Sequence, residues 1–132
     1  MSIDTIDAPD PSGRPYVPGL VASGDLIFVS GQVPLRDGVV VGTTIEEQAE
    51  AVLSSVESIL RNAGASLADV VRCGVYLSDL DDLPRLNSVY ARVFGAALPT
   101  RTTVGVDLPG YRVEIDCIAT RPTPDEHRRD RG

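Results

Sequence analysis

Apolar side chains recur at helical spacing in the clearest segment of the chain, residues 43–64. The apolar positions, three or four residues apart, are Ile45, Ala49, Val52, Val56, Ile59 and Ala63. This period predicts an amphipathic helix with one buried face. Thr43 and Glu46 have the spacing of a capping box, and Gly64 is a typical C-terminal stop.

A second amphipathic helix is predicted within residues 81–98. Its apolar stripe consists of Leu83, Leu86, Tyr90, Val93 and Ala97. Asp81 and Asp82 are expected to cap this helix. Pro84 fits only in the first turn, where no helical hydrogen bond needs its missing N–H.

Short apolar and β-branched runs surround the two helices and predict strands. Two of these runs flank a turn at residues 23–25, and a further hairpin is predicted around Asp37 and Gly38, a dipeptide that tolerates positive φ. Three more runs cover residues 69–77, 102–106 and 112–120. Residues 1–15, which are rich in Pro, Asp and Gly, are predicted to be loop.

The predicted order of elements is β-β-β-α-β-α-β-β. Two helices against one mixed, mainly antiparallel sheet make an α+β sandwich. No repeat, linker or change of composition precedes Pro122, so we predict one domain over residues 1–122. Residues 123–132 are highly charged and lack apolar groups that would offset the entropy of ordering, so we predict a disordered tail.

Charged residues interrupt the last two predicted strands. Alternate residues of a strand point to opposite faces, and a short loop joins these strands, so we predict an antiparallel hairpin. Matched apolar faces then place Arg101, Thr103, Glu114 and Asp116 together on the other face. That face is either solvated, with surface ion pairs of little energetic value, or covered by another subunit. In the second case Arg101 is a buried cation whose planar fork suits a carboxylate.

The net charge and the hydropathy of the chain limit the classes of partner that it is expected to bind. The chain of 132 residues has a net charge of −7, which argues against nucleic acid because phosphate binding needs a basic surface. No apolar run approaches the roughly 20 residues that span a bilayer, so no membrane partner is expected. The acidic N-terminus lacks a signal-peptide pattern, and we expect a cytoplasmic protein.

The cysteine and histidine content of the chain excludes several kinds of catalytic site. Cys73 and Cys117 lie inside apolar runs and are predicted to be small buried hydrophobes rather than a disulfide. The single histidine, His127, lies in the charged tail. A Ser-His-Asp triad, a Cys-His pair and a multi-histidine metal site are therefore excluded, and no metal or cofactor is expected.

Several separated segments together resemble the RidA/YjgF family of reactive-intermediate deaminases, over roughly residues 14–121. These segments are PYVPG (15–19), IFVSGQVP (27–34), LSDLDDLPRLNSVY (77–90), PTRTTV (99–104) and VEIDCIA (113–119). The resemblance implies a chorismate-mutase-like fold and a homotrimer. It also implies active sites in clefts between neighbouring subunits, which would cover the second face of the sheet.

The resemblance also assigns site residues. It implies that Arg101 holds a substrate carboxylate and that Glu114 positions a water molecule, so these two are the candidate catalytic residues. The candidate substrate-binding residues are Tyr16, Ser30, Gly31, Asn87, Arg101, Thr102 and Thr103. The chemistry needs no cofactor, because an imine is already electrophilic and only has to be held near a water.

The implied reaction is hydrolytic deamination of 2-aminoacrylate-type enamines and 2-imino acids to 2-oxo acids and ammonia. An alternative is a carboxylate-binding or regulatory module that uses the same cleft without turnover. An endoribonuclease, an activity attached to some relatives, is disfavoured by the net charge of −7.

The chain departs from the common family pattern beside the arginine. Thr103 stands where many members have cysteine, which excludes thiol chemistry there. Leu83 stands where a phenylalanine is common, and Thr100 where an alanine is common. These changes leave the preferred imino acid open.

Overall fold

Two helices cover one face of a four-stranded sheet in a computed structural model that describes residues 2–6 and 13–122. The helices are α1 (Ile45–Asn62) and α2 (Leu83–Phe94). The strands are β1 (Ser2–Thr5), β2 (Leu20–Ser23), β3 (Asp25–Gln32), β4 (Leu35–Arg36), β5 (Val39–Val40), β6 (Val70–Leu77), β7 (Thr100–Gly105) and β8 (Val113–Arg121). The predicted disordered tail lies outside the described residues.

The main sheet has the strand order β3-β8-β6-β7. Strand β8 is antiparallel to both of its neighbours, whereas β6 and β7 are parallel because α2 carries the chain back between them. The α+β class, the two helices and the mixed, mainly antiparallel sheet are confirmed. Five strands rather than three precede α1, because β1 pairs with β2 and β4 pairs with β5 in two small separate sheets.

The prediction that residues 1–15 form a loop is wrong for residues 2–5, which form β1. Strand β1 pairs antiparallel with β2, from Ser2 opposite Ser23 to Thr5 opposite Leu20. The two strands around the turn at 23–25 therefore do not pair with each other, since β3 pairs with β8. Four residues are too short a run for a periodic signal, and only the distant partner makes β1 a strand.

Helix α1 begins one residue later than the capping pattern predicted. Thr44, not Thr43, is the N-cap, and its Oγ1 accepts from the backbone N–H of Glu47 at 3.1 Å. Glu47 Oε1 accepts in return from the backbone N–H groups of Thr43 and Thr44, both at 3.2 Å. These bonds lower the pKa of Glu47. The helix terminates before Gly64, whose φ of 79° confirms the predicted stop.

Helix α2 ends at Phe94, before Gly95 at φ 60°, so the buried Ala97 lies beyond the helix. Asp82 occupies the N-cap position, but its side chain makes no capping hydrogen bond. Instead its Oδ2 accepts from Arg112 Nη1 at 3.2 Å. Arg112 Nε also donates to the carbonyl of Thr43 at 3.2 Å, which ties the starts of α1, α2 and β8 together.

The core lies between the two helices and the sheet. Its largest fully buried side chains include Tyr90, Phe94, Leu53 and Ile115. Cys73 and Cys117 are buried free thiols, as predicted for small hydrophobes. No helix in the described part of the chain is long and apolar enough to cross a membrane.

The parallel pairing of β7 decides where Arg101 points. Arg101 lies opposite Cys73 and Thr103 lies opposite Val75, and both of these β6 residues are fully buried beneath the helices. Residues opposite one another on neighbouring strands share a face. Arg101 and Thr103 therefore belong to the face that the helices cover, which we call the helix face.

The two acids lie on the other face, which we call the open face. Glu114 is opposite Tyr76, and Asp116 is opposite Gly74. The prediction that Arg101 shares a face with both acids is therefore wrong. It assumed a β7–β8 hairpin, but β6 lies between these strands, and its buried residues set the orientation of both.

Asp116 is fixed on the open face by three hydrogen bonds. It accepts from Arg72 Nη1 at 3.2 Å, from the backbone N–H of Gly74 at 3.1 Å and from the hydroxyl of Tyr76 at 3.0 Å. The bond to the carboxylate raises the pKa of Tyr76. A Cβ on Gly74 would lie 2.6 Å from Asp116 Oδ1.

Gly74→Ala should consequently lower the free energy of unfolding by about 1–3 kcal/mol, because the new methyl group displaces a hydrogen-bonded carboxylate. Urea unfolding followed by circular dichroism measures the change. In an Asp116→Ala background the same substitution should cost much less, since the colliding carboxylate is gone. An equal cost in both backgrounds would contradict this explanation.

Candidate functional site

A cavity of about 440 Å³ opens on the helix face, at the edge of the sheet next to β7. Its size falls within the usual range for small-molecule sites. The residues that line it are Arg14, Tyr16, Leu83, Asn87, Arg101, Thr102 and Thr103. We call it the arginine pocket. It contains most of the substrate-binding residues predicted from the sequence, drawn from three parts of the chain.

Hydrogen bonds hold the loop with Tyr16 and strand β7 in place. The N–H of Val17 donates to the carbonyl of Pro99 at 3.0 Å, which fastens the loop carrying Tyr16 to the start of β7. Thr100 Oγ1 donates to the carbonyl of Val71 at 2.6 Å and fixes β7 against β6. Helix α2 supplies Leu83 and Asn87 from its first two turns.

Arg101 lies between two aromatic rings. Its Cζ is 4.7 Å from the ring centroid of Tyr16 and 4.8 Å from that of Tyr90, which are distances of cation–π contacts. Burial lowers the pKa of Arg101, and the two neighbouring tyrosines oppose that change. Because free arginine titrates above about 12, the guanidinium keeps its charge at neutral pH.

Several buried polar atoms in the pocket have no hydrogen-bond partner among the described residues. They are Arg101 Nε and Nη1, Thr103 Oγ1 and Asn87 Oδ1. Buried polar groups are normally paired, so such a group calls for a specific explanation. An arginine binds a carboxylate through two parallel N–H donors, and the guanidinium of Arg101 has donors that no described residue accepts. The pocket is therefore suited to an anion bound at Arg101, with an acceptor and a hydroxyl beside it.

Arg14 is a pocket residue that the sequence prediction missed. Its Nη1 donates to the hydroxyl of Tyr16 at 2.7 Å, and its Cζ is 5.9 Å from the centroid of the same ring. The signal was its position two residues before Tyr16, immediately outside the PYVPG segment. The pocket thus has a second cation near its mouth.

The remaining predicted site residues lie on the open face. A Cβ on Gly31 would be 2.1 Å from Glu114 Oε2, so glycine is what allows that carboxylate to lie against β3. A second hollow of about 380 Å³ is lined by Ser30, Gly31 and Asp116 together with residues of the neighbouring strands. Within one chain, Glu114, Ser30 and Gly31 are therefore on the opposite side of the sheet from Arg101.

The open face also carries apolar side chains. Phe28 is 71% exposed and Leu26 is 57% exposed, both on β3, and Val104 on β7 is exposed as well. Exposed apolar side chains that are grouped on one face are typical of a protein–protein interface.

No metal site emerges in residues 2–6 and 13–122, where no three His, Cys, Asp or Glu side chains come together as ligands. The only two thiols of the chain are in the core, and burial raises the pKa of Cys73 to about 12. The described side chains provide the guanidinium of Arg101, which can bind an anion, and hydrogen-bonding groups beside it. On the open face of the sheet they provide the carboxylate of Glu114.

Comparison with known proteins gives consistent matches over nearly the whole chain. The family model described as Endoribonuclease L-PSP matches residues 5–121. A RutC family protein of Pyrococcus abyssi is 42% identical over 89% of this chain and 94% of its own length. The chloroplastic Reactive Intermediate Deaminase A of Arabidopsis thaliana is 38% identical over 89% of this chain and 64% of its own length.

Among solved structures, TdcF of Escherichia coli with bound serine has a TM-score of 0.69 at 35% identity. The match covers 90% of this chain and 99% of TdcF. Yeast Mmf1 has a TM-score of 0.71 at 31% identity, with 92% of this chain and all of that chain covered. Similarity at this level extends to the architecture of the sheet and both helices.

Proposed function

The chain belongs to the Endoribonuclease L-PSP family, also known as the YjgF/RidA family, and on that premise we propose that it hydrolyses 2-imino acids to 2-oxo acids and ammonia. The family includes reactive intermediate deaminases. The observation that carries the proposal is the half-buried Arg101, held between two aromatic rings, with two donors that no described residue accepts.

In the proposed reaction Arg101 binds the substrate carboxylate through its fork. A water oxygen then adds to C2 of the protonated imine and forms a tetrahedral adduct with an amino and a hydroxyl group. Proton transfer from that hydroxyl to the amino group lets ammonia leave as the C2–O double bond forms. Glu114 is the group that would take a proton from the water and return it to nitrogen. Holding both reactants in place supplies much of the acceleration.

The proposed assembly is a cytoplasmic homotrimer with its active sites between subunits. Arg101 and Glu114 lie on opposite faces of one sheet, so a single chain cannot bring both to one substrate. A neighbouring copy could place its open face, with Glu114 and Gly31, against the arginine pocket. The exposed Phe28 and Leu26 support such a contact, because association would bury them.

An assay on freshly generated imines tests the activity. Amino-acid oxidases produce 2-imino acids from different amino acids, and the imine is trapped or its decay is followed with and without the protein. The protein should accelerate decay at least about tenfold for one imine, in the absence of added metal or cofactor. Unchanged decay across a panel of small, large and acidic imines would rule the activity out.

A carboxylate-binding module without turnover is the second candidate. It is favoured by the solved structure of TdcF, a related protein that holds serine, an amino acid with a carboxylate. Both candidates need Arg101, but only catalysis needs Glu114. Binding of a 2-oxo acid that survives Glu114→Gln, with no imine hydrolysed by the native protein, would favour this candidate.

A further inference from the structure

Tyr90 is the aromatic residue that contacts Arg101 from the side of the core. The guanidinium lies over its ring, with 4.8 Å between Arg101 Cζ and the ring centroid. Tyr90 is fully buried on α2 and does not line the arginine pocket. A ligand in the pocket would therefore contact the guanidinium of Arg101 but not the ring behind it.

The contact joins a cation to a neutral ring. Burial raises the pKa of Tyr90, so its phenol stays protonated at neutral pH and the contact is not an ion pair. None of the described residues accepts a hydrogen bond from Arg101 Nε or Nη1. The faces of Tyr16 and Tyr90 are therefore the contacts that stabilise this half-buried charge.

The two rings differ in how firmly they can hold the guanidinium. Tyr16 lies on a loop, is partly exposed and lines the pocket. Tyr90 lies on a helix, and its ring packs on that of Phe94 with 4.6 Å between the two centroids. A cation–π contact is strongest where water is excluded. The ring of Tyr90 is therefore the more rigid and the stronger of the two supports.

We propose that Tyr90 is a positioning residue of the arginine pocket, whose ring face holds the guanidinium of Arg101 in the orientation that binds a carboxylate. The inference rests on the proposed function in taking a carboxylate as the ligand of Arg101. Tyr90 acts through Arg101 and does not contact the ligand. A guanidinium that is already oriented loses less freedom on binding, so the ring should increase the affinity for 2-oxo and 2-imino acids alike.

Three substitutions at position 90 separate the face of the ring from its volume and from its hydroxyl. Tyr90→Phe keeps the face and loses the hydroxyl. Pentafluorophenylalanine inserted at the same position keeps an aromatic ring of similar size but reverses the sign of the charge on its face. Tyr90→Leu removes the ring. The matched control is Phe94→Leu, which removes a second buried ring of the same core, one that contacts Tyr90.

Calorimetric titration with pyruvate measures carboxylate binding in each variant. Tyr90→Phe should bind pyruvate with the native Kd, because the ring face remains under the guanidinium. The pentafluorophenylalanine and Tyr90→Leu variants should bind about tenfold more weakly, and Phe94→Leu should stay within about twofold of the native Kd. Because the fluorinated ring preserves the packing, the test does not depend on whether Tyr90→Leu folds.

Nuclear magnetic resonance of the Arg101 Nε–H group in the ligand-free protein gives a readout that a general loss of stability would not change. Its order parameter should be high in the native protein, in Tyr90→Phe and in Phe94→Leu, and low in the pentafluorophenylalanine variant. Native pyruvate affinity in that variant, equal losses in Tyr90→Phe and Tyr90→Leu, or no binding of pyruvate by the native protein would each overturn the proposal.

The imine assay separates this inference from the proposed function. Pyruvate binding that depends on the ring face of Tyr90, without hydrolysis of any imine, would leave the inference standing and remove the deaminase activity. Imine hydrolysis with native kcat and KM in the pentafluorophenylalanine variant would do the reverse.

Discussion

Replacing Arg101 with alanine is expected to lower the rate of imine hydrolysis about a thousandfold. Loss of the guanidinium removes the anchor for the substrate carboxylate, and with it the positioning of C2 for attack by water. Initial rates with one hydrolysed imine, at substrate concentrations around and well above the native KM, measure the effect. Both kcat and KM should change, since the anchor acts on binding and on orientation.

Two further variants define what Arg101 contributes. Arg101→Lys keeps the charge but cannot reproduce two parallel hydrogen bonds, so it should remain impaired about a hundredfold. Arg61→Ala removes an exposed charge of the same kind and should have native rates. Circular dichroism should be unchanged in all three. Native activity in the Arg101→Ala variant would contradict the proposal that the protein is a deaminase.

Mixing two inactive variants is expected to restore activity if each active site combines two chains. Arg101→Ala and Glu114→Gln damage opposite faces of the sheet. In a randomly assembled cyclic trimer about a quarter of the sites would join a native arginine from one chain to a native glutamate from the next. The mixture should therefore recover roughly a quarter of the native activity.

The mixing experiment requires full subunit exchange and separate measurements on each variant. The variants are unfolded and refolded together, so that subunits exchange fully, and they are also assayed separately at the same total concentration. A mixture of Arg101→Ala with Arg101→Lys is the control and should stay inactive. Recovery that never exceeds the separate variants would show that the sites are not shared between chains.

The local part of the fold was predictable from the sequence, and the pairing of strands was not. Both helices follow from apolar spacing, and Gly64 marks the end of the first. The partner of β7 depends on where α2 returns the chain, which no short pattern contains. Because this pairing was not predicted, Arg101 was expected on the same face as Glu114 and Asp116, whereas it lies on the helix face.

Family resemblance, rather than physical reasoning on the residues, supplied most of the candidate site residues. Tyr16, Asn87 and Arg101 all line the arginine pocket. Ser30, Gly31 and Glu114 do not join them within one chain, because the sheet lies between the two groups. Arg14 was missed, since a residue outside the recognised segment becomes informative only when its distance to Tyr16 is known.

The burial of both cysteines limits the thiol chemistry that the protein can undergo. Cys73 and Cys117 are the only sulfhydryl groups of the chain, and both lie beneath the helices. Burial raises the pKa of Cys73 to about 12, so its thiol stays protonated at neutral pH. Thr103 presents a hydroxyl to the pocket instead of sulfur. Neither thiol lines the arginine pocket, so peroxides and alkylating compounds meet no thiol among the described residues that line it.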